Sequence, residues 1–198
     1  MDFPIALCRP LALDPALANR CLLAALSLPH ILYAAIWLKP GWWRATFQKS
    51  SVEVFAVVAG FGKLLQAEAV LVWLWSQRPQ GLCLDLSRTH LWQWLAALLL
   101  SSFGQALNVG IYKAIGKVGV YYGTRLGHTV PWVTGFPFSV VPHPQYVGSA
   151  LSVWGGAALL ANQLPPDCCG GLANAQVLGL AAFWSLLYAM SAVIESYL

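Results

Sequence analysis

The sequence predicts an all-α membrane protein, a bundle of four or five membrane-spanning helices, and two observations carry that prediction. Of the 198 residues, 59% are hydrophobic and 9% are charged, whereas about 25% of the residues in a soluble domain are charged. Several apolar runs are also long enough to cross a bilayer, which takes about 20 helical residues. The chain has no internal repeat or low-complexity segment, so we expect residues 1–198 to form a single domain.

Four of the apolar runs have clear spanning length, and a fifth is ambiguous. The four clear runs are Val54 to Trp75, Leu91 to Ile111, Gln145 to Asn162 and Leu172 to Tyr197. The fifth run, Cys21 to Leu38, has "LSLPHIL" at its centre, and a proline inside a helix removes a hydrogen bond and kinks the helix. The sequence therefore predicts a broken or re-entrant first segment and leaves open whether that segment crosses the membrane.

The basic residues indicate how the chain is oriented. If all five segments cross, six Lys and Arg residues outside the segments share one side, against four on the other. If the first segment does not cross, the counts become eight and two. Because cytosolic loops have the excess of basic residues, this pattern favours four spans. Both arrangements place loops 39–52 and 112–144 and the C-terminus in the cytosol, and residues 1–20 do not have the pattern of a signal peptide.

The cysteines predict no metal site. Their spacing contains no Cys-x-x-Cys and no Cys/His cluster of the kind that binds zinc. The five residues are Cys8, Cys21, Cys83, Cys168 and Cys169. We interpret the adjacent pair, Cys168 and Cys169, as inert loop residues, with oxidation or lipidation as the alternative.

Two stripes of polar residues run along the third and the last segments. Each stripe has helical spacing, and both approach the cytosolic side. Their members are Ser101, Gln105, Asn108 and Tyr112 in one segment, and Ser185, Tyr188, Ser191 and Glu195 in the other. We expect Asn108 and Glu195 to line a pocket between helices at the cytosolic end. For the serines we favour the alternative, hydrogen bonds to neighbouring helices.

Two charged residues, Lys63 and Glu68, lie well inside the second segment. A charge at this depth costs several kcal/mol and is by default a functional hypothesis. Five residues correspond to about 140° around a helix axis, so these two side chains are poor partners for each other. Lys63 is a candidate ligand for a lipid phosphate or a cofactor carboxylate. An interaction with a polar group on another helix is the alternative.

The start of the fourth segment predicts an anion site. His143 lies between Pro142 and Pro144, a pattern that holds the approach extended and begins a helix. The free N–H groups and the dipole of a helix N-terminus attract a carboxylate or phosphate. A small-residue face follows, which we expect to pack closely against another helix. Its members are Gly148, Ser152, Gly155 and Gly156.

The stretch "GVYYGTRLGHTVPWVTGFPFSVVPHPQYVGS", residues 119–149, resembles the phospholipid N-methyltransferases, and the resemblance is best over residues 119–198. Its features are Gly-x-Tyr-x-Gly from residue 119, Phe-Pro-Phe from residue 136, Pro-x-Tyr-x-Gly-Ser from residue 144, and a last helix that ends in a glutamate. The "HPxYxG" core is also similar to that of the isoprenylcysteine carboxyl methyltransferases. Two family features differ, since the third segment lacks a Gly-x-Gly and the family's final Glu-Glu pair is Glu195-Ser196 here.

The resemblance implies an S-adenosylmethionine-dependent enzyme with its catalytic pocket at the cytosolic end of the bundle. The residues that it assigns to the cofactor are His143, Glu195, Gly119, Tyr121 and Gly123. Tyr146 is expected to contribute to catalysis, and we choose His128 in the long loop as the candidate base. Tyr121, Tyr122 and Tyr146 can face the sulfonium or the methylated ammonium, with interfacial anchoring as the alternative. The candidates for binding the lipid substrate are Lys113, Lys117, Arg125 and Asn108.

The expected activity is the methylation of phosphatidyl-N-methylethanolamine and its dimethyl product to phosphatidylcholine. The expected location is the endoplasmic reticulum membrane, with a membrane phospholipid as the partner and no nucleic acid. A carboxyl methyltransferase acting on prenylcysteine is the alternative enzyme. A non-catalytic membrane protein that binds lipid is the alternative from a different class.

Overall fold

The computed structural model describes residues 5–7, 13–76, 82–84, 89–163 and 173–196. The helices are α1 (Pro15–Leu38), α2 (Pro40–Phe47), α3 (Ser51–Ser76), α4 (Leu91–Val120), α5 (Pro144–Leu160) and α6 (Ala173–Ser196), and a 3₁₀ turn, Gln48–Ser50, joins α2 to α3. Two strands, β1 (Ile5–Leu7) and β2 (Leu82–Leu84), form a small antiparallel pair that the sequence did not predict. The all-α class is otherwise confirmed, and the predicted cysteine pair Cys168 and Cys169 lies outside the described residues.

Among the described residues, four helical stretches are long and apolar enough to cross a membrane, which supports an integral membrane protein. They are Pro15–Leu38, Pro40–Ser76, Leu91–Val120 and Asn174–Ser196. Three of the predicted segments therefore reappear within a few residues of their expected ends, apart from the extension of α4 to Val120. The predicted segment from Gln145 to Asn162 becomes α5, a shorter helix of 17 residues.

The expectation that the first segment is broken at its proline is wrong. Pro29 lies inside the continuous helix α1. A glycine on α3 makes room for the proline ring, because a Cβ added at Gly62 would lie 3.1 Å from Cγ of Pro29. The neighbouring Gln66 donates a hydrogen bond from Nε2 to the Leu26 carbonyl, at 3.0 Å. Contacts from α3 therefore accommodate the proline, as is common in transmembrane helices.

Helix α1 runs along the whole bundle. Near its start, Asn19 accepts a hydrogen bond of 2.7 Å from the indole of Trp73, close to the end of α3. At its other end, the Trp37 carbonyl accepts from Arg125, which follows α4. We use "site end" for this second end of the bundle, where α1, α4 and α6 end and α3 and α5 begin. The preference for four spans depended on a first segment that does not cross, and the structure gives α1 the length of the bundle.

The helices pack in the order α3, α1, α6, α5, α4. The closest pair is α4 with α5, where small residues let the two backbones approach, as predicted. A Cβ added at Gly148 would meet the carbonyl oxygen of Gly104, and one added at Gly155 would meet the Ser101 hydroxyl. In contrast, a Cβ added at Gly156 meets nothing within 4 Å. The small-residue face is therefore confirmed as packing at Gly148, Ser152 and Gly155, and Gly156 borders open space.

Candidate functional site

A cavity of about 680 Å³ lies at the site end. Its walls come from the ends of three helices, the start of α5 and the long loop that joins α4 to α5. The polar and aromatic residues around it include Trp37, Tyr122, His143, Tyr146 and Glu195. We call this space the Glu195 cavity. A pocket at the end of the bundle was predicted, and the loop provides much of its wall through residues 130–134.

The centre of the Glu195 cavity is a cluster of two tyrosines and one carboxylate. The hydroxyls of Tyr122 and Tyr146 both donate to Oε1 of Glu195, and the two hydroxyl oxygens are 3.0 Å apart. Within the described part of the chain, Oε2 of Glu195 accepts no hydrogen bond and no Lys, Arg or His forms an ion pair with it. The two phenols therefore fix the position of the Glu195 carboxyl group, and no protein cation among the described residues pairs with it.

Tyr122 reaches this cluster through an unusual backbone conformation. It follows the C-cap of α4 with φ of 57°, in the left-handed region where glycine is the usual residue. The Gly123 amide donates to the Val118 carbonyl at 2.8 Å, which closes the turn. The tyrosine ring then packs between Trp37 and Phe55, with centroid distances of 5.0 and 5.1 Å. Burial raises the pKa of the Tyr122 phenol above its ordinary value, so the hydroxyl remains a donor at neutral pH.

His143 lines the Glu195 cavity, but the predicted anion site at the start of α5 is smaller than expected. Its carbonyl already accepts hydrogen bonds from the amides of Tyr146 and Val147, each at 3.1 Å. Pro144 has no N–H, so in the first turn the amide of Gln145 is the remaining free donor. The ring Nε2 of His143 lies 3.1 Å from the Ser196 hydroxyl. The site at this corner therefore consists of one imidazole and one amide.

The Gly-x-Tyr-x-Gly motif divides between the cavity and its surroundings. Gly119 lines the Glu195 cavity. The Tyr121 side chain lies away from it, against Phe55 and in contact with the Tyr112 hydroxyl at 2.6 Å. Gly123 lies in the turn, where an added Cβ would meet the Val118 backbone. Of the two tyrosines in residues 119–123, the one that lines the cavity is thus Tyr122, which occupies an unspecified position of the motif.

The candidate base, His128, is exposed and does not line the Glu195 cavity. Its amide donates to the Gly123 carbonyl at 2.8 Å, which holds the residue in the turn that follows α4. A base has to come within hydrogen-bond reach of the proton that it removes. The structure therefore does not support His128 in that role.

The predicted lipid-binding cations are not gathered in one place. Lys117 forms an ion pair with Glu53 at the start of α3. Arg125 donates two hydrogen bonds to the Trp37 carbonyl, at 2.9 and 2.6 Å, and lies over the Trp37 ring. Lys113 is exposed along a shallow groove on α4. Lys117 and Arg125 thus connect helices at the site end, and Lys113 remains free to meet a lipid.

The two polar stripes meet at a second cavity rather than at the Glu195 cavity. Asn108, Gln105 and Tyr188 border a second cavity of about 450 Å³, farther from the site end, whereas Glu195 lines the first. The prediction that Asn108 and Glu195 share a pocket is therefore wrong. The interpretation that serines of these stripes hydrogen-bond to neighbouring helices is confirmed for two of them. Ser185 accepts from the indole of Trp154 and Ser191 contacts His30, both at 3.0 Å.

The fold and the Glu195 cavity define an integral membrane protein with a cavity at one end of its helix bundle, lined in part by polar side chains. A sequence model of the phospholipid methyltransferase family matches residues 92–196. Because this match covers more than half of the chain, the protein belongs to the phospholipid methyltransferase family.

Two curated relatives match shorter stretches. The chain is 54% identical over 54 residues to a phosphatidyl-N-methylethanolamine N-methyltransferase from Arabidopsis thaliana, over 27% of this chain and 33% of that protein. It is 41% identical over 56 residues to phosphatidylethanolamine N-methyltransferase B from Dictyostelium discoideum, over 28% of each. The aligned stretch thus spans a third or less of each relative. No solved structure matches the chain significantly.

Proposed function

We propose that the protein methylates phosphatidyl-N-methylethanolamine and its dimethyl product to phosphatidylcholine, with S-adenosylmethionine as donor, in the endoplasmic reticulum membrane. The observation that carries the proposal is the cluster of Tyr122, Tyr146 and Glu195 on the wall of the Glu195 cavity. Family membership and the names of the two relatives support the same reaction.

The residues of the Glu195 cavity fit the proposed cofactor. A volume of about 680 Å³ lies within the range of small-molecule sites, about 300–1,000 Å³. Glu195, with one carboxylate oxygen free of protein donors, would hold the ammonium of the amino-acid part. His143 and the amide of Gln145 would hold its carboxylate. When bound, S-adenosylmethionine supplies a methyl group activated by a sulfonium.

The side chains around this site mainly position the reactants. Methyl transfer to an amine is a displacement, and holding nitrogen and methyl in line lowers the barrier substantially. The rings of Tyr122 and Tyr146, which are tied to Glu195, offer aromatic surfaces to a positively charged group. The attacking amine has to be neutral. Besides the two tyrosines, the titratable side chains that line the cavity are His143 and Glu195, and the roles proposed above engage both of them with the cofactor.

The test measures lipid products. Membranes from cells that lack their own phospholipid methyltransferases receive the protein and labelled S-adenosylmethionine. Phosphatidylethanolamine, its monomethyl form and its dimethyl form are then supplied in turn. We expect label in the dimethyl lipid and in phosphatidylcholine, and loss of that label in Glu195→Ala. The first lipid shows whether the protein also begins from the unmethylated headgroup.

Three other results would overturn the proposal. Label on a farnesylcysteine substrate, without label in any lipid, would identify a carboxyl methyltransferase. Absence of label together with no binding of S-adenosylhomocysteine to the purified wild-type protein would identify a non-catalytic membrane protein. A wild-type protein that binds S-adenosylhomocysteine and labels none of these substrates would have a different methyl acceptor.

A further inference from the structure

The second cavity, of about 450 Å³, lies between α3, α4, α5 and α6. We call it the Lys63 cavity. Its end nearer the site contains Lys63, Asn108 and Tyr188, and its far end is apolar, with Trp73 and Val177 on the wall. Along α6 the cavity extends from Tyr188 to Val177, which at 1.5 Å per residue is about 16 Å. A polar end that continues into an apolar channel is the shape of a site for an amphiphile with a chain.

The cation in this cavity has no counter-charge among the residues that the structure describes. Nζ of Lys63 donates to the Tyr188 hydroxyl and lies 4.8 Å from the centre of that ring. Of the other charges on α3, Glu68 lines a different groove beside Pro29 and Glu53 pairs with Lys117. An ammonium at membrane depth is costly unless an anion accompanies it. A phosphate would provide that anion and accept hydrogen bonds from both Lys63 and Tyr188.

The Lys63 cavity and the Glu195 cavity meet at a pair of tyrosines. Tyr188 lines the first and Tyr146 the second, and their ring centroids are 6.1 Å apart. In an ethanolamine headgroup, two carbon atoms separate the amine from the ester oxygen of the phosphate. A phosphate on Lys63 therefore places the amine at the Tyr146 side, where methyl transfer is proposed.

The Lys63 cavity is accessible from the side of the bundle. Its outer walls are α3, which packs on α1, and α4, which packs on α5. The ion pair of Lys117 with Glu53 connects these two walls at the site end. Deeper in the bundle, Lys63 and Gln105 on opposite walls are exposed. A lipid can therefore enter between α3 and α4 from the surrounding bilayer.

We propose that the Lys63 cavity binds one glycerophospholipid, with its phosphodiester on Lys63 and Tyr188 and one acyl chain along the apolar channel. The assignment of this lipid as the methyl acceptor rests on the proposed function. The binding of the phospholipid itself does not, and the experiments below separate the two.

The first experiment tests the phosphate contact. Binding of phosphatidyl-N-methylethanolamine to the purified full-length chain is measured by native mass spectrometry, beside diacylglycerol of the same chains. Lys63→Met removes the cation, and Lys49→Met, in the exposed turn before α3, is the matched control. We expect Lys63→Met to weaken phospholipid binding about tenfold or more, which is the scale of a charge-assisted hydrogen bond. Diacylglycerol binding and the control should stay at the wild-type value.

The second experiment tests the acyl channel. Gly156 lines the Lys63 cavity, and a Cβ added there meets nothing within 4 Å. Gly156→Leu therefore places an apolar side chain in the channel, and its Cβ meets no protein atom within 4 Å. Gly179 on α6 is equally open and exposed, so Gly179→Leu is the matched control. We expect Gly156→Leu to weaken binding of a long-chain phospholipid about tenfold and to leave a short-chain analogue unaffected.

The outcomes distinguish the two proposals. Wild-type affinity for the phospholipid in both Lys63→Met and Gly156→Leu would overturn the lipid site, even in a protein that methylates lipid. Equal losses in the control variants would overturn it too. If the binding losses appear as expected and the wild type methylates none of the three lipids, the lipid site stands and the proposed function fails.

Discussion

The Glu195 cavity and the Lys63 cavity are built in opposite ways. The first is formed by helix ends and a loop, and its polar side chains hydrogen-bond to one another. The second is formed by the faces of four helices and is mostly apolar, with one cation, Lys63, at the end nearer the Glu195 cavity. The first contains an anion without a protein cation, and the second a cation without a protein anion, among the described residues. Under the two proposals above, the phosphate of the lipid lies in the Lys63 cavity and its amine faces the Glu195 cavity.

The largest effect that this comparison predicts is at Glu195. Glu195→Gln keeps the shape and removes the charge that the two tyrosines orient, so we expect kcat/KM for lipid methylation to fall about 100-fold. The assay is incorporation of labelled methyl groups into phosphatidylcholine. The matched control is Glu53→Gln, another carboxylate at the site end, whose exposed ion pair with Lys117 contributes about 1 kcal/mol or less. Similar losses in both variants would contradict a special role for Glu195.

The next effect concerns stability at the kink of α4. Gly116 has φ of 64° and ψ of −179°, a conformation that is almost restricted to glycine. Gly116→Ala should therefore lower the free energy of unfolding by about 2 kcal/mol. A thermal unfolding curve in detergent measures this. Gly60→Ala is the control because Gly60 lies inside α3 with open space around it, and we expect it to be neutral or slightly stabilising. If Gly116→Ala unfolds at the wild-type temperature, the kink does not depend on glycine.

Gly116→Ala should also affect ligand binding in the two cavities differently, because the kink leads the chain into the loop that lines the Glu195 cavity. Affinity for S-adenosylhomocysteine should fall in this variant. Binding of phospholipid in the Lys63 cavity should not, since that cavity is bounded by helix faces on the other side of the kink. Equal losses of both ligands would show that the two cavities respond as one unit.

A smaller effect distinguishes the neighbouring tyrosines of the Gly-x-Tyr-x-Gly motif. Tyr122→Phe removes a hydroxyl that donates to Glu195, and we expect kcat/KM to fall about tenfold. Tyr121→Phe, whose hydroxyl contacts Tyr112 outside the cavity, should change it less than about twofold. A larger loss in Tyr121→Phe than in Tyr122→Phe would mean that the motif tyrosine faces the ligand.

The smallest expected effect is at His128. Its side chain is exposed and lies outside the Glu195 cavity, so His128→Ala should keep kcat within about twofold of wild type. Its pH–rate profile should also be unchanged. A loss of activity with a shifted profile would restore His128 as the base and place the long loop closer to the reacting amine than it is here.

The sequence was informative wherever composition alone decides the structure. The apolar run from Val54 to Trp75 predicted α3 almost to its ends, because a membrane helix has to be apolar over its whole length. Glycines with helical spacing predicted the close packing of α5 on α4 for a similar reason. The apolar length of a helix and the spacing of its small residues can both be read from one short stretch of sequence.

The sequence was less informative where the position of a residue depends on contacts between two segments that are distant in the chain. The proline of α1 is tolerated because of Gly62 and Gln66 on another helix, which no pattern around the proline shows. The choice of Tyr122 over Tyr121 depends on a left-handed turn at a residue that is not glycine. Lys117 and Arg125 matched the composition of a phosphate site, and their partners at the site end assign them to helix contacts.

The contact between Arg125 and Trp37 shows which part of the chain is needed to form the wall of the Glu195 cavity. Arg125 lies inside the region that matches the family, residues 92–196, whereas Trp37 belongs to α1 and is part of the cavity wall. A truncated protein that starts just before the matched region would keep the whole family signature. It would lose the backbone carbonyl that orients Arg125 and the ring that packs on Tyr122. Helix α1, which lies outside the matched region, therefore forms part of the wall of the Glu195 cavity and holds two of its neighbouring side chains in place.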